Sequence, residues 1–381
     1  MSTFALPLLV SLTTAFANEG AVKPTVAAEP APEAPAADPV DQLETVGLAV
    51  DFFPGVGASK AAIGQDDRNL SLGVVGTYAG GIDGLEASTV LGVVRTRVDG
   101  VQMSGGVNIV GQHVDGFQAA GGINVTGGEV DGFQAAGGMN IAGGEVDGFQ
   151  MAGGLNIAGA DVDGMQMAGG LNIAGGEVDG PQLAGGVNIA NGVDGVQVAP
   201  VNISSDNVEG VQVGVINIAR DSDVSLGIIN VIYEGRTHVD IWQSSTGFTE
   251  FALKHGGRKF HYIYGGGVRP QGNCPEWAMT LGAGGHFELS NSLFVDADLL
   301  ARHVSPANGF LAATNMLTTA RAVAGLQVFE HIAITGGLSA NTLISTVQSG
   351  EKYAKDGSMV GTSGSVTTRS FPGVQFGVQL F

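Results

Sequence analysis

Apolar and polar positions alternate with period two along most of the chain beyond residue 44, without the 3.6-residue spacing of a helix. Between residues 148 and 157, Phe149, Met151, Gly153, Leu155 and Ile157 fall on one face, and Gly148, Gln150, Ala152, Gly154 and Asn156 on the other. Further on, Trp277, Met279, Leu281, Ala283, Gly285, Phe287 and Leu289 oppose Ala278, Thr280, Gly282, Gly284, His286 and Glu288. Ile332, Ile334, Gly336, Leu338 and Ala340 repeat the rule. The pattern predicts strands throughout, hence an all-β protein.

The first half is also an array. Val-Asp-Gly recurs at Val98, Val114, Val130, Val146, Val162 and Val178, every 16 residues, and then at Val193 and Val208 (as Val-Glu-Gly) with a spacing of 15. Each unit reads V-D-G-F-Q-x-A-G-G-x-N-I-A-G-G-E, and the array covers roughly residues 68–235. One column holds Gln118, Gln134, Gln150 and Gln166; another holds Asn124, Asn140, Asn156 and Asn172. A strand of about 11 residues at ~3.3 Å each, tilted by ~45°, rises ~25 Å, the height of an outer-membrane barrel's apolar band.

Two architectures fit. In a parallel β-solenoid each 15–16-residue unit is one coil, like residues stack on like, and a smaller barrel follows. In an antiparallel meander each unit is one strand, and Gln of one strand lies near Asn of the next. Stacking would put the repeat carboxylates in columns ~4.8 Å apart, and opposed like charges are destabilising. The expectation is therefore the meander, closing into a transmembrane-type β-barrel of very roughly 16–20 strands, with the solenoid as the alternative.

Composition narrows the function. Glycine supplies 63 of 381 residues, against a usual ~7%, and the repeat unit places it at turns and in mid-unit pairs such as Gly153-Gly154. A net charge of -20 argues against a nucleic-acid partner. A single cysteine, Cys274, excludes a disulfide framework. Residues 1–17 read as a secretory signal peptide ending Ala15-Phe16-Ala17, and 18–43 as an Ala/Pro/acidic linker. The repeat region spans 44–235 and the C-terminal barrel strands 236–381. Any membrane crossing must be made by strands, since no later segment is long and apolar enough for a helix.

No catalytic signature is present: the histidines lack metal-ligand spacing, there is no nucleophile elbow, and no cofactor motif occurs. The polar candidates are the Gln and Asn columns and Asp296, Asp298 and Arg302, all expected to face a barrel lumen. The repeat carboxylates suit divalent cations. The repeat units, the lead-in Gly80-Gly81-Ile82-Asp83-Gly84-Leu85-Glu86 and the exit Val224-Ser225-Leu226-Gly227-Ile228-Ile229-Asn230 resemble the bacterial surface-repeat proteins with V-x-G-x-Q-x-x-G-x-x-N units. That resemblance implies a cell-surface or outer-membrane protein and brings no catalytic residues. The expected function is a structural or passive pore-like role in contact with outer-membrane lipid and small solutes. The alternative is a surface binding or adhesion module, built on a solenoid and cation-dependent.

Overall fold

The computed structural model describes residues 43–57, 63–270, 275–305, 315–346, 359–363 and 366–381. The leader and nearly all of the linker expected from the sequence lie outside them. Among the described residues there is no helix. The chain divides into two compact units, one reaching Ile218 and including Leu226–Ile229, the other comprising Ala219–Ser225 and Asn230–Phe381.

The first unit corrects the meander expectation: the repeats are a parallel β-solenoid of about 10 coils. Each coil contributes a long strand such as Val146–Ala152 to one sheet and a four-residue strand such as Leu155–Ala158 to a second. Successive coils pair in parallel and in register, so Val130 lies beside Val146, Gln134 beside Gln150, and Asn140 beside Asn156. The 16-residue unit is thus two strands and two corners. Gly153-Gly154 forms the corner between the strands of its coil rather than a mid-strand feature.

Magnitudes explain why the charge objection fails. The repeat aspartates and glutamates stand at an exposed edge, where two like charges ~4.8 Å apart repel by only about 0.9 kcal/mol in water. Each coil also adds buried side-chain hydrogen bonds worth about 1 kcal/mol apiece, besides its backbone ladder. The Gly of Val-Asp-Gly makes the stacking possible. Gly148 has φ +133°, and a Cβ there would lie 2.1 Å from the Gly132 carbonyl oxygen of the coil before. The same geometry recurs at Gly116, Gly132 and Gly164.

The second unit holds an antiparallel sheet whose strands follow chain order from Arg236–Ser244 to Val366–Leu380. The last of these also pairs back with the first, Leu380 beside Val239 and Gln375 beside Ser244. Eight strands therefore close on themselves, and the short Met359–Ser363 strand extends Val366–Leu380 at one end. A closed sheet of this size has an interior just wide enough for side chains to fill. Two apolar clusters occupy it: Trp242, Ala252, Ile263 and Leu300, and Phe248, Ala278, Val304, Leu317, Leu343 and Phe371.

Candidate functional site

The polar columns of the repeat do not face a lumen. Gln118, Gln134, Gln150 and Gln166, with Asn124, Asn140, Asn156 and Asn172, are fully buried between the two sheets of the solenoid. Each points inward from a parallel strand whose neighbour carries the same residue, so the amides bond to their own kind. Gln150 Nε2 donates to Gln134 Oε1 at 2.9 Å, and Gln166 Nε2 donates to Gln150 Oε1 at 2.8 Å. In the second column Asn140 Nδ2 donates to Asn156 Oδ1, and Asn156 Nδ2 to Asn172 Oδ1, both at 2.9 Å. The two ladders run in opposite senses, Gln donating toward the N-terminal coils and Asn toward the C-terminal ones. Asn156 Nδ2 also reaches the Met167 carbonyl at 2.8 Å, tying the short strand of one coil to the long strand of the next.

The Gln ladder ends on Glu86, which accepts from Gln102 Nε2 at 3.1 Å and from the Thr77 hydroxyl. Burial pushes the Glu86 carboxyl above the usual carboxylate range, against the opposing effect of those two hydrogen bonds. The Asn column stops one coil short of it. Gly92 occupies the place before Asn108, and a Cβ there would stand 2.3 Å from Glu86 Oε1. Beyond Glu86, the fully enclosed Arg68 guanidinium closes the N-terminal end. It donates to Asp66 at 2.6 Å and Asp51 at 2.7 Å.

Charge is segregated along the solenoid. No Lys or Arg occurs between Arg97 and Arg220. The carboxylates of Asp115, Asp131, Asp147 and Asp163, with Glu129 and Glu145 beside them, share one exposed edge. The opposite edge is the uncharged Gly-Gly corner. Apart from the Asp column at the start of each long strand, the outward positions of both sheets are apolar, Phe133, Phe149 and Met151 on the broad face and Ile109, Ile141 and Ile157 on the narrow one. Among the described residues no group of three or more His, Cys, Asp or Glu has the arrangement of a metal site.

The closed sheet shows the same inversion. Inside, Lys254 Nζ lies 2.6 Å from Asp296, 3.1 Å from Asp240 and 3.4 Å from Asp298. Arg321 meets Asp298 at 2.7 Å, its guanidinium carbon 4.3 Å from the centre of the Trp242 ring. His286 bonds Asp296 at 2.7 Å and His261 bonds Asp298 at 2.8 Å. Asp296 and Asp298 therefore belong to one ion network. Arg302 is separate, 3.0 Å from Glu250 at an angle unsuited to a hydrogen bond. None of the three lines an open lumen: each is buried, Arg302 at 1% exposure. Outside, Leu338 is 70% and Phe376 69% exposed, in company with Trp277, Leu281, Phe287 and Ile334.

Lys254, Arg321, Asp240 and Glu250 were not singled out from the sequence. Their one signal is that each occupies an inward position of its strand's alternation. Their partners lie on other strands, Lys254 with Asp240 and Asp296 and Arg321 with Asp298, and are set by strand register, which alternation does not carry.

No family model matches the chain, and no curated protein matches it. A solved structure titled "De novo design of transmembrane beta-barrels" aligns over 38% of this chain and 91% of its own, at 11% identity and a TM-score of 0.23, a likeness too slight to bear on fold or function.

Proposed function

We propose that the protein is an exported outer-membrane protein of structural role, in which the closed sheet is the membrane anchor and the solenoid is the surface-associated module it carries. The observation that carries this reading is the inverted wall: ions inside, large apolar side chains outside. In water that arrangement exposes apolar surface while burying charges that must each be paired. In a bilayer it is the favourable arrangement, since lipid meets the apolar side chains and the eight long strands are paired round a closed ring. The strands Glu276–Ser290, Leu293–Ser305, Asn315–Phe329 and Ile332–Ser345 have 13–15 residues, enough for the ~9–11 that a tilted membrane strand requires.

The packed interior favours anchoring over conduction. Ile263, Leu300, Leu317 and Arg302, all enclosed, fill the cross-section. The test is fractionation of expressing cells, followed by alkaline extraction and a comparison of unheated and heated electrophoretic mobility. Retention in the membrane pellet and a compact unheated band are expected, with no conductance steps in planar bilayers. Recovery as a detergent-free soluble protein would overturn the anchor, and steady conductance would restore the pore.

A further inference from the structure

We propose that the solenoid itself is seated in lipid, its two apolar faces and its Gly-Gly edge within the acyl-chain layer and its acidic edge at the aqueous surface. The inference rests on the membrane reading above but concerns a different unit. Four observations carry it.

Beyond the Asp column at one margin, both outer faces are apolar, and a second copy of the chain related by a two-fold axis would cover only one of them. The charges are gathered on one edge, as a body lying at an interface requires. At the far edge both N–H groups of each Gly-Gly corner are taken up by the preceding coil, which removes their cost in hydrocarbon. Gly153 N–H donates to the Ala136 carbonyl at 3.1 Å and Gly154 N–H to the Gly138 carbonyl at 2.9 Å, each in the preceding coil. The corners at Gly137-Gly138 and Gly169-Gly170 repeat these bonds. Finally, the broad face has an open apolar recess of about 460 Å³, floored by Ala119 and Ala135 and walled by Phe133, Met151 and Met167. Methyl and methylene groups line it, and it suits a hydrocarbon chain. From acidic edge to glycine edge, seven or eight residues at ~3.3 Å span about 25 Å, less than the ~30 Å hydrocarbon core, so the body enters the membrane without crossing it.

The chain has two tryptophans, Trp242 inside the closed sheet and Trp277 on its outer wall, and neither belongs to the solenoid. The experiment reconstitutes the full chain into phosphatidylcholine vesicles with acyl chains brominated at mid-length, which quench nearby tryptophan. Wild-type Trp277 reports on the anchor. In a Trp277→Phe background, whose residual emission is the blank, Phe149→Trp probes the broad face, Ile109→Trp the narrow face and Asp147→Trp the acidic edge. Val198→Trp is a second position on the broad face should Phe149→Trp fail to fold. Loss of more than half of the added emission is expected at both faces, and of less than a tenth at Asp147→Trp. Unquenched face probes alongside a quenched Trp277 would overturn the inference and leave the anchor standing. Face probes that are shielded from water yet unquenched, in a chain that cross-links as a dimer, would assign the faces to a second copy and equally overturn it. An unquenched Trp277 would remove the anchor reading and this inference together.

Discussion

Replacing Gln150 by leucine removes one rung of the buried amide ladder at nearly constant volume. Three hydrogen bonds go: from Gln150 to Gln134 Oε1 at 2.9 Å, from Gln150 to the Ile157 carbonyl at 3.3 Å, and from Gln166 to Gln150 Oε1 at 2.8 Å. Gln134 Oε1 is left facing a methyl group, with a desolvation cost of about 1–3 kcal/mol for an unsatisfied buried acceptor. Gln166 Nε2 keeps its 3.3 Å bond to the Ile173 carbonyl, so its loss is nearer the bottom of that range. The net expectation is a destabilisation of about 2–4 kcal/mol. In a unit of this size that lowers the solenoid's melting temperature by roughly 2–4 °C per kcal/mol, or about 4–16 °C. A repeat array loses stability locally before it loses it globally, so hydrogen exchange resolved by peptide is the sharper assay. Amides in the coils from Val130 to Ala174 should exchange faster while those near Val208 hold. A change below about 0.5 kcal/mol with unaltered exchange would refute the claim that the ladder is an energetic element rather than a space filler.

Other expectations follow from the same geometry. Gly148→Ala combines a disfavoured positive φ with a Cβ driven against the Gly132 carbonyl, so a loss of about 3 kcal/mol or more is expected, read as the solenoid's thermal midpoint. Glu86, whose carboxyl is raised by burial, contributes stability that is full below the ordinary carboxylate pKa and is lost as pH rises through its folded value. The wild-type melting temperature should therefore fall from pH 5 to pH 8 by more than that of Glu86→Gln, and parallel curves would contradict the assignment. Lys254→Met leaves Asp240, Asp296 and Asp298 without their shared cation, and a cost of about 3–5 kcal/mol is expected in the urea midpoint of the protein folded in detergent micelles.

The strands, the two amide columns and the change of regime after residue 235 could be read from alternation and repetition alone. The direction of successive repeats could not. Gln bonding to Gln across parallel coils and Gln bonding to Asn across antiparallel strands are both satisfied amide pairs, and the repeat spacing is the same in either case. The deciding residues were glycines. Position 148 must be glycine because its φ is positive and because the carbonyl of Gly132 stands where a Cβ would be, a stacking constraint that a meander would not impose at every unit. Like charges pointed the other way, because their columns look costly until their exposure is known; at Asp131 and Asp147 water screens what would be prohibitive inside. The ion network was illegible for a different reason. Lys254 and Asp296 are 42 residues apart and meet only because the sheet closes at a particular register, whereas Asp296 and Asp298 could be grouped from one strand's alternation.

The ladders, the acidic edge and the paired apolar faces all follow from one geometric fact, that each repeat stacks in register on its own kind. Asp131 and Asp147 are Cα partners on the exposed edge of adjacent coils, at a separation of ~4.8 Å that a disulfide can bridge. In a Cys274→Ser background, oxidation of the Asp131→Cys/Asp147→Cys double variant should give a rapid intramolecular cross-link, detected by the mass of the bridged peptide. If that pair stays reduced although both thiols react with a soluble alkylating reagent, neighbouring repeats do not stack in register, and the solenoid with all that depends on it is wrong.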